Sequence, residues 1–272
     1  MKSSNISQKK SLGQNFLINQ GILDKIIDAS EINEEDIILE IGPGTGNLTE
    51  KLSETLRQSS GQEAGRVIAI EKDRRLITEL QEKFKTTNVE LIEGDVLNLK
   101  IENLNLKDEE YKIVANIPYY ITSHLIKIIF EKWPRPKLIV LTIQKEVARR
   151  IMAKPPRMNL LALSVQFFSN PKIIGYVSKG SFRPIPKVDS AIIRLIPKSE
   201  KPKNEQKDLF FKLTRAGFSE KRKLLITNIA REFVMMKEDL FKAFDKIGIQ
   251  QNARAENLSL NQWVELAKYM QK

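Results

Sequence analysis

Apolar residues recur along this chain in two rhythms. In QNFLINQGILDKIIDASEI, Ile22, Leu23, Ile26 and Ile27 fall at helical spacing. DIILEIGPGTGNLTEKLSETL then passes from a short β-rich run, Ile37 to Ile41, through glycines into a helical pattern. RVIAIEKDRRLITELQEKF repeats the switch, with Val67 to Ile70 followed by Leu76, Leu80 and Phe84. VELIEGDVLNL supplies another short strand, and both KIVANIPYYITSHLIKIIF and KLIVLTIQKEVARRIMA read as strand, turn and helix. Strands alternating with helices at this rhythm predict a parallel sheet covered on both faces. VQFFSNPKIIGYVSKGSFRPIPKVDSAIIRLI carries strands with no helix between them, which predicts an antiparallel strand or hairpin at the sheet edge. PKSEKPKNEQ is a polar linker, and DLFFKLTRAGF, KRKLLITNIAREFV, EDLFKAFDKIGI and SLNQWVELAKYM beyond it are helical. The pattern predicts an α/β domain over residues 1–199 and a small all-helical domain over 200–272, without internal repeats.

Composition narrows the chemistry. With 272 residues, 41% hydrophobic and 29% charged, the chain can bury a large core. MKSSNISQKK has no apolar leader core, and no run approaches the roughly 18 apolar residues of a membrane span. A cytoplasmic protein that does not enter membranes is therefore expected. The absence of cysteine excludes disulfides and thiolate metal sites. The single histidine, His124, sits in a helix-like stretch and reads as a surface or packing residue, so no metal is expected. Net charge is +11: residues 200–272 carry 15 Lys and Arg against 10 Asp and Glu, and residues 1–199 carry 30 against 24. That balance favours a polyanionic partner through phosphate neutralisation, most strongly in the last quarter.

LEIGPGTGNL joins a strand to a helix through Gly42, Gly44 and Gly46, glycines that allow a tight turn and close approach of a ligand. The dinucleotide fingerprint would need glycine where Asn47 stands, and no Gly-Lys-Ser/Thr follows, so neither that motif nor a P-loop fits. What remains is an acid before the glycines, Glu40, and another at the end of the next strand, Glu71. This arrangement resembles the S-adenosylmethionine loop of Rossmann-like methyltransferases. The resemblance implies that Glu71 pairs with the ribose hydroxyls and Asp95, in EGDVL, with the adenine amino group. Glu40 can equally be a structural carboxylate contacting loop amides.

NIPYY, residues 116–120, ends the next strand. One reading is an X-Pro turn with two core tyrosines. The other is chemical, because Asn116-Ile117-Pro118-Tyr119 looks like the Asn-Pro-Pro-Tyr-type motif of amino-methyltransferases. An exocyclic adenine amine is a poor nucleophile, its lone pair being delocalised into the ring. The Asn116 side-chain oxygen and a backbone carbonyl next to Pro118 can accept its two hydrogens, with proline presetting the backbone. Tyr119 would stack on the extruded base, an interaction worth about 1–3 kcal/mol. Tyr120 is read as a packing residue.

QNFL, EIGPGTGNLT, NIPYYIT, QKEVARRI, FRPIPKVDSAIIRL, FSEKRKLL and ENLSLNQWVELA follow one another across nearly the whole chain. Together they resemble the small-subunit rRNA adenine dimethyltransferase family, Rossmann-like class I S-adenosylmethionine-dependent enzymes that dimethylate two adjacent adenines in a 3′-terminal hairpin. The resemblance implies donor contacts at Asn15, Leu17, Gly42, Gly44, Glu71, Asp95 and Asn116, and places Phe182 near the target base opposite Tyr119. It implies a partner in small-subunit rRNA or an immature 30S-type particle, and a monomer as the acting form. Two departures stand out. KPPRMNLLALSVQ replaces the family's Tyr-Gly pair, which bears on the loop at 154–159, and Arg183-Pro184-Ile185-Pro186 replaces consecutive prolines. Lys221, Arg222 and Lys223, with Lys212 and Arg215, are candidate phosphate contacts, and Arg149 and Arg150 are a second group. Two other functions fit less of the chain: a large-subunit rRNA methyltransferase of the macrolide-resistance type, and a non-catalytic ribosome assembly factor.

Overall fold

The computed structural model describes residues 12–57, 65–200 and 203–271. The polar leader to residue 11 and linker residues 201 and 202 lie outside the described residues. Among the described residues the chain divides into two compact units. One comprises residues 1–148 and 171–197, the other 149–170 and 198–272.

The first unit is an α/β sandwich. Its elements are β1 (Phe16–Leu17), α1 (Gln20–Ser30), β2 (Ile37–Ile41), α2 (Asn47–Leu56), β3 (Arg66–Glu71), α3 (Arg74–Phe84), β4 (Val89–Glu93), β5 (Tyr111–Asn116), α4 (Thr122–Lys132) and β6 (Leu138–Gln144). α5 (Lys145–Ile151) leads towards the second unit, and β7 (Ser169–Val177), β8 (Phe182–Arg183) and β9 (Ser190–Pro197) complete the strands. The main sheet runs β4-β3-β2-β5-β6-β9-β7. Its first five strands are parallel, and β9 runs antiparallel to β6. The continuous apolar runs are explained by burial on both faces: Ile38, Leu39, Ile113, Val114, Val140 and Leu141 are fully enclosed. A second, two-stranded ribbon pairs β1 with β8, Leu17 opposite Phe182. Side-chain caps fix two helix starts: Asn19 accepts the Ile22 amide at α1, and Asp73 accepts the Arg75 amide at α3.

The chain places β3 and β4 on one side of β2, then crosses to β5 and β6 on the other. That reversal opens a crevice at the carboxyl ends of β2 and β5, where the glycine loop and NIPYY both begin. The opposite end of the same two strands is closed by a buried ion pair. Lys112 Nζ lies 2.7 Å from Asp36 Oδ2 and also donates to the Glu31 carbonyl.

The second unit contains α6 (Leu160–Phe168), α7 (Asn204–Gly217), α8 (Leu225–Phe233), α9 (Lys237–Ile247) and α10 (Leu260–Met270). Its core includes Met158, Phe210, Leu213, Phe244 and Trp263. Here the structure differs from the sequence pattern twice. Residues 165–168 are not strand but the last turn of α6. The Asn159 side chain caps that helix by accepting the Ala162 amide, and the Phe167 ring stacks on Phe210 at 4.1 Å. The boundary expected at 199/200 also moves, because residues 149–170 group with the C-terminal helices. The atypical loop at 154–159 belongs here too, with Met158 buried and its amide donating to the Glu256 carbonyl at 3.1 Å. No helix among the described residues is long and apolar enough to cross a membrane.

Candidate active site

The crevice is a cleft walled by the glycine loop, the ends of β3, β4 and β5, and the segment at 12–17. Gly42, Gly44, Glu71, Asp95, Asn116, Asn15 and Leu17 all line it. So seven residues that the sequence assigns to one site, spread from 15 to 116, do converge. The loop is a cradle only glycine can make at Gly44: its φ is +60°, and a Cβ there would lie 2.7 Å from the Phe16 ring.

Glu71 is tied to this loop. Its Oε2 accepts the Gly44 amide at 3.1 Å and its Oε1 accepts the Asp73 amide at 2.8 Å. The carboxylate that contacts loop amides is therefore Glu71, not Glu40 as one sequence reading allowed. Each oxygen keeps acceptor capacity for a ligand hydroxyl. Burial pushes the Glu71 carboxyl up, against the pull of the Asp73, Gly44 and Lys72 amides. Glu40 is fully buried. Burial raises its carboxyl to about 8, Thr49 opposes the rise and Glu71 adds to it. Thr49 does so without a hydrogen bond of regular geometry, since its hydroxyl and Glu40 Oε2 are both enclosed and unpartnered. Asp95 accepts Lys72 Nζ at 2.8 Å and the Leu97 amide at 3.1 Å. Burial pushes Asp95 up, but these contacts outweigh it and hold the carboxyl below its ordinary value.

The segment at 14–17 crosses the cleft on polar ties. Gln14 Nε2 donates to Asp73 Oδ2 at 3.0 Å, and Asn47 Nδ2 donates to the Leu17 carbonyl at 2.8 Å. Asn116 Nδ2 donates to the Asn15 carbonyl at 3.0 Å, which turns Asn116 Oδ1 away from that carbonyl. Asp73 takes a hub position: the Arg75 guanidinium, then Gln14, hold its carboxyl well below the usual range. Sequence reasoning missed Gln14, Asn47 and Asp73. Only Asp73 left a local signal, as the residue opening a helix; the partners of Gln14 and Asn47 are remote in the chain.

After Asn116 the chain makes a short 3₁₀ turn, Tyr119–Ile121, in which the Pro118 carbonyl accepts the Ile121 amide at 3.2 Å. The Ile117 carbonyl receives no backbone amide among the described residues, so of the two carbonyls flanking this turn it is the one left open. The Tyr119 hydroxyl lies 2.6 Å from Ser190 Oγ on β9, a fully buried side chain. Burial raises the Tyr119 phenol, and Ser190 opposes that rise. Nothing in the sequence marks Ser190 as the residue that holds Tyr119.

Of the aromatic residues, Tyr120 needs correction, and Phe182 lies outside the cleft lining. Phe182 is 0% exposed, packed with Leu17, Leu23 and Ile192 beneath the β1–β8 ribbon, and does not line the cleft. Tyr120, read as packing, is 60% exposed and lines the cleft. The basic candidates lie elsewhere, in the second unit, and all of Arg149, Arg150, Lys212, Arg215, Lys221, Arg222 and Lys223 are exposed. Lys223 pairs with Glu220 at 2.8 Å, while Lys221 and Arg222 make no ion pair among the described residues. His124 is exposed on α4.

The lining fits a nucleoside-bearing donor with hydroxyl and amino groups: a glycine cradle, two carboxylates at successive strand ends and a side-chain amide at the third. Comparisons with known proteins agree with this chemistry. The profile of a family described as Ribosomal RNA adenine dimethylase matches residues 5–272. The chain is 41% identical to a ribosomal RNA small subunit methyltransferase A of Dehalococcoides mccartyi (strain CBDB1), over 98% of this chain and 89% of that protein. It is 39% identical to the protein of the same name from Clostridium botulinum (strain Kyoto / Type A2), over 95% and 92%. Among solved structures, a dimethyladenosine transferase from Plasmodium falciparum aligns with TM-score 0.76 and 32% identity, over 94% of this chain and 97% of that one. The 23S rRNA methyltransferase ErmE aligns with TM-score 0.76 and 25% identity, over 95% and 100%. The fold is that of Rossmann-like, S-adenosylmethionine-dependent methyltransferases with a helical C-terminal part. With a family match along almost its whole length and relatives at about 40% identity, this chain belongs to the ribosomal RNA adenine dimethylase family.

Proposed function

We propose that the protein transfers methyl groups from S-adenosylmethionine to the exocyclic amines of two adjacent adenines in the 3′-terminal hairpin of small-subunit rRNA. The observation that carries this reading is the position of Asn116 and Tyr119. They stand on the wall of the same cleft as the glycine loop, Glu71 and Asp95. When bound, the donor supplies an electrophilic methyl carried on a sulfonium. Glu71 would hold its ribose hydroxyls, Asp95 its adenine amine, and the backbone at Gly42, Gly44, Asn15 and Leu17 its remaining edge. Asn116 Oδ1 and the Ile117 carbonyl, next to Pro118, would accept the two hydrogens of the target amine and aim its lone pair. Tyr119 would stack on the base, held in plane by Ser190. The amine lone pair aimed by Asn116 and Ile117 would take the methyl, and the donor's sulfur would keep the pair of the broken sulfur–carbon bond. The amine then sheds one proton to water, so a neutral Asn116 suffices and no strong base is needed.

Lys221, Arg222 and Lys223, with Arg149 and Arg150, would neutralise phosphates of the RNA. We read the partner as an immature small subunit, the acting form as a monomer and the compartment as the cytoplasm. The likeness to ErmE makes large-subunit rRNA the comparison substrate. Labelled donor is supplied with immature small subunits, mature small subunits and large-subunit rRNA in parallel. Incorporation into immature small subunits is expected, and incorporation only into large-subunit rRNA would reverse the substrate assignment. Asn116→Ala should abolish transfer while leaving rRNA binding nearly intact, as measured by filter binding. Retained transfer would remove Asn116 from the mechanism.

A further inference from the structure

Charge is distributed unevenly across the main sheet. Residues 74–110, which carry α3, β4 and the segment leading to β5, hold nine Asp and Glu against six Lys and Arg. Residues 171–189, which carry most of β7, all of β8 and the turn into β9, hold four Lys and Arg against one Asp. β4 and β7 are the two edges of the sheet, so the β7 edge is the one that attracts a polyanion. On that edge Tyr176 is 52% exposed. Lysines on an edge strand discourage unwanted sheet pairing, but an exposed aromatic ring does not, so the ring needs another explanation.

We propose that Tyr176, with Lys145 held at its ring, is a stacking platform for an unpaired nucleotide that neighbours the target adenines in the rRNA. The proposal rests on the rRNA reading given above and concerns a surface outside the donor cleft, which neither residue lines. Lys145 Nζ stands 5.2 Å from the centre of the Tyr176 ring. It is braced there. Nζ lies 3.6 Å from Asp189 Oδ2, and the Lys145 amide donates to the Asp189 carbonyl at 3.0 Å. Asp189 Oδ1 accepts the Lys179 amide at 3.2 Å, which ties the start of the basic turn to the same point. The platform is also continuous with the site. Lys145 directly follows Gln144, which borders a hollow with Tyr119, and Asp189 directly precedes Ser190, which holds the Tyr119 hydroxyl. Lys172, Lys179 and Arg183 are exposed on the same strand and turn. An aromatic ring among cations is what binds single-stranded nucleic acid: the ring takes a base of any kind, and the cations take the flanking phosphates.

The full-length protein is compared with Tyr176→Ala and Tyr176→Phe in three measurements. These are kcat and KM with immature small subunits, affinity for S-adenosylmethionine by calorimetry, and ultraviolet crosslinking to the same subunits. After crosslinking, nuclease and trypsin digestion precede mass spectrometry; cleavage after Lys172 and Lys179 isolates Tyr176 in the peptide 173–179. A nucleotide adduct on that peptide is expected from the parent and should be lost in Tyr176→Ala. Tyr176→Ala should also raise KM about tenfold, the scale of one base–aromatic stack, with kcat and donor affinity unchanged. Tyr176→Phe should keep the parent's KM, since stacking needs the ring and not the hydroxyl. An unchanged KM in Tyr176→Ala would overturn the proposal, as would a parent peptide without an adduct. A fall in donor affinity matching the change in KM would also overturn it, by making Tyr176 a structural residue. A parent protein that forms the adduct but methylates no small subunit would count against the proposed function and leave the platform standing.

Discussion

Glu40 is a carboxyl group enclosed behind the glycine loop, and its environment has a measurable effect on stability. The folded chain holds its proton up to about 8, whereas an unfolded chain releases it near 4.5. The folded state therefore binds more protons between those values, and stability falls as pH rises through that window. Glu40→Gln keeps the shape and cannot ionise. Thermal melts should show the variant equal to its parent near pH 5 and increasingly more stable towards pH 8. Parallel curves would mean that Glu40 carries no such shift. At this scale much of the site was legible: carboxylates at strand ends and an Asn-Pro-Tyr turn have few other reasons to occur in that order. The burial of Phe182 was not, because it depends on Leu17, far away in the chain. Nor was Ser190, whose hydroxyl matters only once β9 lies beside the turn that carries Tyr119.

Elements are placed by how closely their backbones approach as much as by their polarity. The end of α7 is an example: a Cβ on Gly217 would collide with the Trp263 ring and lie 2.8 Å from Leu225 Cδ1. Asn228 Nδ2 ties the same point to α8 by donating to the Gly217 and Glu220 carbonyls at 2.8 and 3.1 Å. Gly217→Ala should therefore cost about 1–3 kcal/mol, the range of an overpacked core, as the helices shift to make room. Urea melts followed by Trp263 fluorescence in a Trp133→Phe background would measure it, and an unchanged midpoint would show that α10 gives way freely. The alternating strands and helices of the first unit were plain from periodicity, since buried parallel strands are short apolar runs. Part of α6 was not, because LLALSVQFF is apolar almost throughout, and such a run has no periodicity to distinguish strand from helix. Its Asn159 cap was the available signal.

Over the whole molecule, excess positive charge predicts salt-sensitive RNA binding. Replacing Lys221, Arg222 and Lys223 together by Gln should weaken binding and lower the slope of log K against log salt by roughly one for each phosphate no longer neutralised. An unchanged slope would make that segment a solvated surface. The two-part organisation was visible in the linker, but its true boundary was not, because residues 149–170 leave and re-enter the first unit's sequence. The segment at 14–17 carries a further consequence for synthesis. It leaves the ribosome early, yet it rests on Asp73, Asn47 and Asn116 and pairs with Phe182 and Arg183. The wall it forms can be laid down only after about two-thirds of the chain exists, so a nascent chain cannot assemble the complete donor cleft until β8 has been made.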